Sequence, residues 1–454
     1  MKKRRITALS FHPNPHADEA LALVLMRLFG EELFPGVKDA EWVFTTSGGS
    51  TPDGRSAEAW ERDGTLFIGT GGGWADDHRD GEERSCCEII ADALGISERP
   101  ELQAVLGRVS HVDRKGDDDP LGLGNILKAL YSHTYQGSPA NTDVDILLCA
   151  TMALSAHITW EVNGSQPPQD AHRQEFASKV RTWLEEKTDG HKVTASKQIL
   201  RHVSDVEQRN SVQELTLFPL WYVLRSVEGD DFAEDWLDMA LAAKYDEQRR
   251  LGEAISEVPQ KITVREVRQK GGSVRVGFIR SDNDQMHTAL FFLKQLNLNL
   301  IVLFRSNGHV QIMRRQNKGS LVTNNTMREI ARVLRVMEQV KGGGVKVSDF
   351  RTLESCNFVD EIERWYLHES GNFLLNGANS APEVTPTLLS EEEIRRALQI
   401  ALDQTLFEEE RAEQCQMGEC THTERNPCPW HCLGLRRCRK IRHKKRQQVT
   451  VGKT

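Results

Sequence analysis

The sequence predicts an α/β protein. It has a mainly parallel-sheet N-terminal domain, a helical linker region, a smaller C-terminal α/β domain and a Cys-rich basic tail. Three observations lead there. Strand and helix signals alternate over the first 130 residues. From about 143 to 256 the apolar period settles near 3.6. From about 260 strand signals return, before a last amphipathic helix and the tail. Alternation of this kind favours a parallel sheet with helices on its faces, where function collects at the carboxyl ends of strands. The 454 residues suffice for roughly two to four domains. The expected boundaries are 1–142, 143–257, 258–385, a helix at 386–414 and the tail at 415–454.

The elements follow in order. "ITALSFH" is strand-like and leads into an apolar helix from about Asp18 to Phe29. "EWVFTT" and "TLFIGT" are short strand candidates, "SCCEIIADALG" is a helix closed by Gly95, and "LQAVLGRVSHV" is a further apolar segment. "DILLCATMALSAHITW", "EFASKVRTWLEEK" and "EDWLDMALAAKYDEQRRLGEAI" are helical, interrupted by the Pro-rich turn "NGSQPPQDAH". "KITVREVRQKGGSVRVGFIRS" reads as a hairpin around Gly271-Gly272, and "NLIVLFRSNGHVQIMRRQ" as one around Asn307-Gly308. "MHTALFFLKQL" and "MREIARVLRVMEQV" are helices. So is "TLLSEEEIRRALQIALDQTLFEEERAEQ", with Ser390 as its cap.

Composition is that of an ordinary globular protein, 39% hydrophobic and 27% charged. No apolar run approaches the ~20 residues that span a bilayer. The basic start "MKKRR" is followed by nothing like a signal-peptide core, so a cytoplasmic location with no membrane partner is expected. Ten Lys and Arg and no acid lie beyond Glu424. The preceding residues therefore carry −18 against −8 for the whole chain. An acidic body with a basic tail suggests a separate partner for the tail. Cys86, Cys87, Cys149 and Cys356 are scattered, as in a reduced compartment.

Three polar clusters stand out. His12-x-x-x-His16-x-Asp18 lies on a strand-to-helix turn, where imidazoles and a carboxylate can converge on a metal. The plainer reading is a solvated loop with Asp18 as helix cap. Next, "FIGTGGGWADDHRDG" ends a strand in glycines and places Asp76, Asp77 and His78 after them. Glycine amides at Gly71, Gly72 and Gly73 can hold phosphate, as can Arg79, unless Arg79 simply pairs with Asp80. Finally, "SHVDRKG" offers His111 and Asp113, the histidine a packed neighbour of the acid rather than a ligand.

In this order the clusters resemble the DHH phosphoesterase superfamily. That group includes RecJ-type exonucleases, family II pyrophosphatases and the Myg-type exonuclease branch. "HADEALA" is similar to the Myg branch in particular, as is the small-residue helix "RSCCEIIADALG". The motifs cover roughly the N-terminal third. The resemblance implies one or two manganese ions held by His12, His16, Asp18, Asp77, His78 and Asp113, with Asp76, Asp77 and His78 as the catalytic signature. Two departures stand. The signature reads Asp-Asp-His, so either Asp77-His78 takes the Asp-His pair or Asp76 and His78 take the outer positions. The family's bridging Asp on the second strand would fall near Gly69, where no acid stands.

The implied activity is hydrolysis of phosphodiester bonds in a nucleic acid, oligonucleotide or nucleotide second messenger by metal-activated water. A weak or inactive nucleotide-sensing module and a hydrolase of a small phosphorylated metabolite are the alternatives, and a homodimer is compatible with either. In the tail, Cys415, Cys420, Cys428, Cys432 and Cys438, interleaved with His422 and His431, suggest structural zinc. Arg436, Arg437, Arg439, Lys440, Arg442, Lys444, Lys445 and Arg446 form a run suited to a phosphate backbone.

Overall fold

A computed structural model describes residues 3–45, 51–77, 82–117, 119–132, 142–164, 166–188, 196–208, 213–269, 272–315, 320–342, 352–359, 362–368, 370–378 and 384–402. His78, Arg79 and the Cys-rich basic tail, with all its zinc and nucleic-acid candidates, lie outside the described residues. The chain divides into two compact units, Met1–Gly252 and Glu253–Thr454. Their secondary structure is mixed α/β.

In the first unit β1 (Ala8–Phe11) leads to α1 (Ala17–Phe29). β2 (Glu41–Phe44), α2 (Ala57–Arg62) and β3 (Thr65–Phe67) follow. Among the described residues the sheet has the order β2-β1-β3, and both pairings are parallel. β1 is central, with Leu9, Ser10 and Phe11 all buried, as expected of a strand covered on both faces. Its one polar side chain is satisfied, Ser10 Oγ donating to Thr45 Oγ1 at 3.2 Å.

Helices complete the unit: α3 (Cys86–Leu94), α4 (Pro100–Lys115), α5 (Leu123–Ser132), α6 (Asp143–Val162), α7 (Asp170–Thr188), α8 (Lys197–Glu207), α9 (Leu217–Val227) and α10 (Asp230–Lys261), of which the part to Gly252 belongs here. Gly95 ends α3 in the left-handed conformation, at φ +68°. Pro100 opens α4, where its missing N–H costs nothing. The untyped apolar segment of the sequence is thus this helix, and His111 and Asp113 sit in its last turns. α1 is buried from Ala17 to Met26 and packs on α3, α4, α5 and α6. One hydrophobic core runs from Ile6 through Leu9 and Leu21 to Phe176, Trp221 and Ala243. The helices from α6 to the first half of α10 therefore share the core of the parallel sheet.

The second unit carries β4 (Thr263–Gln269), β5 (Gly272–Arg280), α11 (Met286–Phe292), β6 (Leu300–Phe304), β7 (Val310–Arg314), α12 (Asn324–Gly342), β8 (Asn357–Val359), β9 (Ile362–Leu367), β10 (Phe373–Asn376) and α13 (Glu391–Leu402). The sheet order is β4-β5-β6-β7-β10-β9-β8, with only β5–β6 parallel among the described residues. β4–β5 and β6–β7 are antiparallel, and Gly308 turns the second pair at φ +87°. Ser390 caps α13: its amide donates to Glu393 Oε2 at 2.7 Å, and its Oγ accepts the Glu393 amide at 3.3 Å. Among the described residues no helix is long and apolar enough to cross a membrane.

Candidate metal centre

The centre forms where β1 gives way to α1. Pro13 and Pro15 have no amide to continue a strand ladder, and Asn14 between them takes φ +57°, which asparagine tolerates. His16 is the N-cap of α1. Its amide donates to Glu19 Oε2 at 2.6 Å, closing a capping box. The plainer reading of the sequence made Asp18 the cap. The acid three residues after the cap is what closes such a box, so the start lies at His16, and Asp18 is the second helical residue, 2% exposed. From α5, Tyr131 Oη donates to the Pro15 carbonyl at 2.7 Å and pins the loop.

His12 Nδ1 lies 2.7 Å from the Pro13 carbonyl, which can only accept, so this nitrogen carries the proton. Nε2 then faces Glu19 Oε1 at 2.7 Å. A backbone carbonyl that fixes one ring nitrogen and aims the other is the usual support of a metal-ligating histidine.

The missing acid at position 69 has a structural counterpart. A Cβ at Gly69 would lie 2.5 Å from Glu19 Oε1, and φ there is +64°. The Glu19 carboxylate thus fills the side-chain space of residue 69.

Beyond β3 the glycine turn is built for packing. A Cβ at Gly71 would strike the Phe67 ring, and one at Gly73 would meet Ala57 Cβ at 2.9 Å. The Gly72 amide donates to Asp76 Oδ2 at 2.7 Å. That amide therefore serves the turn here. Asp76 is buried and shapes the turn, whereas Asp77 reaches Asp18. On α4, residues two apart project about 200° from one another. Asp113 is the one that comes to His16 and Asp18.

Three overlapping triads result: His12, His16 and Glu19; His16, Asp18 and Asp113; Asp18, Asp77 and Cys86. Within each, the ligand atoms lie within 4.8 Å of one another. Glu19 and Cys86 were not singled out in the sequence. Glu19 closes a capping box whose cap is histidine, not one of the usual Ser, Thr, Asp or Asn caps, so the sequence carried no clear sign of it. Cys86 reaches Asp18 from 68 positions away, which no local pattern reveals.

The electrostatics favour a cation. Burial, then the carboxylates of Glu19, Asp113 and Asp77, push the Asp18 carboxyl well above its usual range. Burial also pushes Glu19 upward, but His12 and His16 override it and hold that carboxyl below its usual range. Asp18 Oδ2 accepts the Cys86 thiol at 3.0 Å, while Asp18 Oδ1 is buried with no hydrogen-bond partner. A mixed nitrogen and oxygen donor set, crowded like charges and an orphaned carboxylate oxygen together fit a divalent ion.

No protein-family model matches the chain, and no curated protein matches it. Among solved structures it is similar to a chain described as the DHH domain of a member of a family of ribosomal proteins. Identity is 11%, over 87% of this chain and 85% of that one, with a TM-score of 0.32. It is also similar to an uncharacterized protein from Helicobacter pylori, at 9% identity over 87% of this chain and 99% of that one, with a TM-score of 0.19.

Proposed function

We propose that the chain is a metal-dependent phosphoesterase of the DHH type, hydrolysing phosphodiester bonds of a nucleic acid, oligonucleotide or nucleotide second messenger. The observation that carries this reading is Asp18, whose buried and unpartnered Oδ1 sits where two of the three ligand triads meet. His12, His16 and Glu19 would hold one ion, and Asp18 with Asp77 or Asp113 a second. A divalent ion, manganese by resemblance, supplies Lewis acidity for a phosphoryl oxygen and lowers the pKa of water toward neutrality. The protein's own part is orientation. The Pro13 carbonyl sets the His12 ring, Tyr131 holds the ligand loop, and Asp76 fixes the glycine turn that delivers Asp77. His78 and Arg79 follow directly and are proposed as a further ligand and a phosphate contact.

The test is a hydrolysis screen with manganese over short RNA, single-stranded DNA, dinucleotides and pyrophosphate. We expect nucleotide release that Asp18→Asn abolishes. Full activity in that variant rejects the centre. Turnover of pyrophosphate alone moves the substrate to small phosphorylated compounds. Nucleotide binding without turnover or bound ion favours a sensing module instead.

A further inference from the structure

We propose that the position formed by Asp18, Asp77 and Cys86 uses the Cys86 sulfur as a ligand and so selects a thiophilic divalent ion, zinc or ferrous iron, over manganese. The inference rests on the metal-centre reading above and adds which ion one of its positions takes.

Cys86 is fully buried, and its Sγ lies 3.0 Å from Asp18 Oδ2. It is the first residue of α3. Ser85 is the cap there, and its amide donates to Glu88 Oε2 at 2.9 Å, so the sulfur is aimed from a fixed helix start. Burial, then the Asp18, Glu19 and Asp77 carboxylates, hold the Cys86 thiol well above its usual range, so the proton leaves only when a cation takes its place. The independent sign of a missing partner is Asp18 Oδ1, buried and unbonded within the same triad.

The neighbouring cysteine gives the contrast. Cys87 is equally buried, but its Sγ lies 3.2 Å from Ser85 Oγ and 3.7 Å from Ser110 Oγ. It is occupied by hydroxyls and is absent from the triad. A carboxylate pair alone suits hard ions such as manganese, and a thiolate moves the preference to softer ones. On binding, the S–H···O hydrogen bond gives way to metal–sulfur and metal–oxygen bonds, and the thiol proton leaves to solvent.

The experiment uses the full chain, stripped with a chelator and reloaded with cobalt(II) as the probe. Any cobalt taken up by the tail cysteines would add its own signal, so the readout is the wild-type minus Cys86→Ser difference spectrum. We expect a sulfur-to-cobalt charge-transfer band in the near ultraviolet, present in Cys87→Ser and lost in Cys86→Ser. The zinc-over-manganese preference should fall about tenfold or more in the same variant. Cys86→Ala, which places no hydroxyl in the core, serves if the serine variant does not fold. Cobalt binding that depends on His12 but gives no Cys86-dependent band overturns this inference alone. Cobalt binding indifferent to His12→Ala and Asp18→Asn overturns the centre itself, and this inference with it.

Discussion

At the scale of single residues, Gly69 and Glu19 occupy one space. Gly69→Ala would set a Cβ 2.5 Å from the Glu19 carboxylate, at a φ that L side chains rarely adopt. We expect a stability loss of about 1–3 kcal/mol and weakened metal binding at His12, His16 and Glu19. Thermal unfolding and metal titration would check both, and an unchanged affinity would mean that the glutamate is not a ligand. The sequence exposed His12, His16 and Asp18 because two imidazoles and a carboxylate are rare together on a strand-to-helix turn. It hid Glu19, because an acid in a first helical turn ordinarily faces water and favours the dipole. Only the fold shows this one 1% exposed against a glycine fifty positions away.

Among the elements, α4 and α6 carry the clearest expectations. On α4, Asp113→Ala should reduce manganese affinity by about tenfold or more, and His111→Ala should leave it near wild type. Isothermal titration of the two variants decides this, and equal losses would put the helix in the wrong rotation. On α6, His157 is 3% exposed with neither ring nitrogen hydrogen-bonded. Burial lowers its pKa from 6.5 to about 4. Its folded value lies below its unfolded one, so its contribution is intact above pH 6.5 and is lost as pH falls toward 4. The loss is on the order of 3 kcal/mol. His157→Leu should flatten the stability curve in that window, and an unaltered curve would show the imidazole to be solvated. Hairpins were legible where Asn307-Gly308 dictates the turn. α4 was not assigned from its pattern. Its apolar residues did not separate helix from buried strand, and the deciding cue was Pro100, which reads equally well as a loop residue.

For the whole molecule, charge and core make different divisions of the chain. The basic residues beyond Glu424 face a body of net charge −18. Removing 425–454 should weaken binding to long RNA or DNA and flatten its dependence on salt, as fewer counterions are released. Dinucleotide hydrolysis should persist. Binding measured over a salt series would show it, and an unchanged slope would reject the tail as the contact. The change of period near residue 143 was visible in the sequence. That α6 to α9 bury the same core as β1 was not, because periodicity reports which face is apolar and never what covers it. The bond from Tyr131 to Pro15 has a consequence for biosynthesis. The histidines leave the ribosome first, yet the hydroxyl that holds their loop follows 116 positions later, and the shared core closes only with Ala243. At usual elongation rates that is a delay of roughly 10–50 s. A nascent chain arrested before α5 should therefore bind metal poorly, and the centre matures only after α5 and the later core helices have been made.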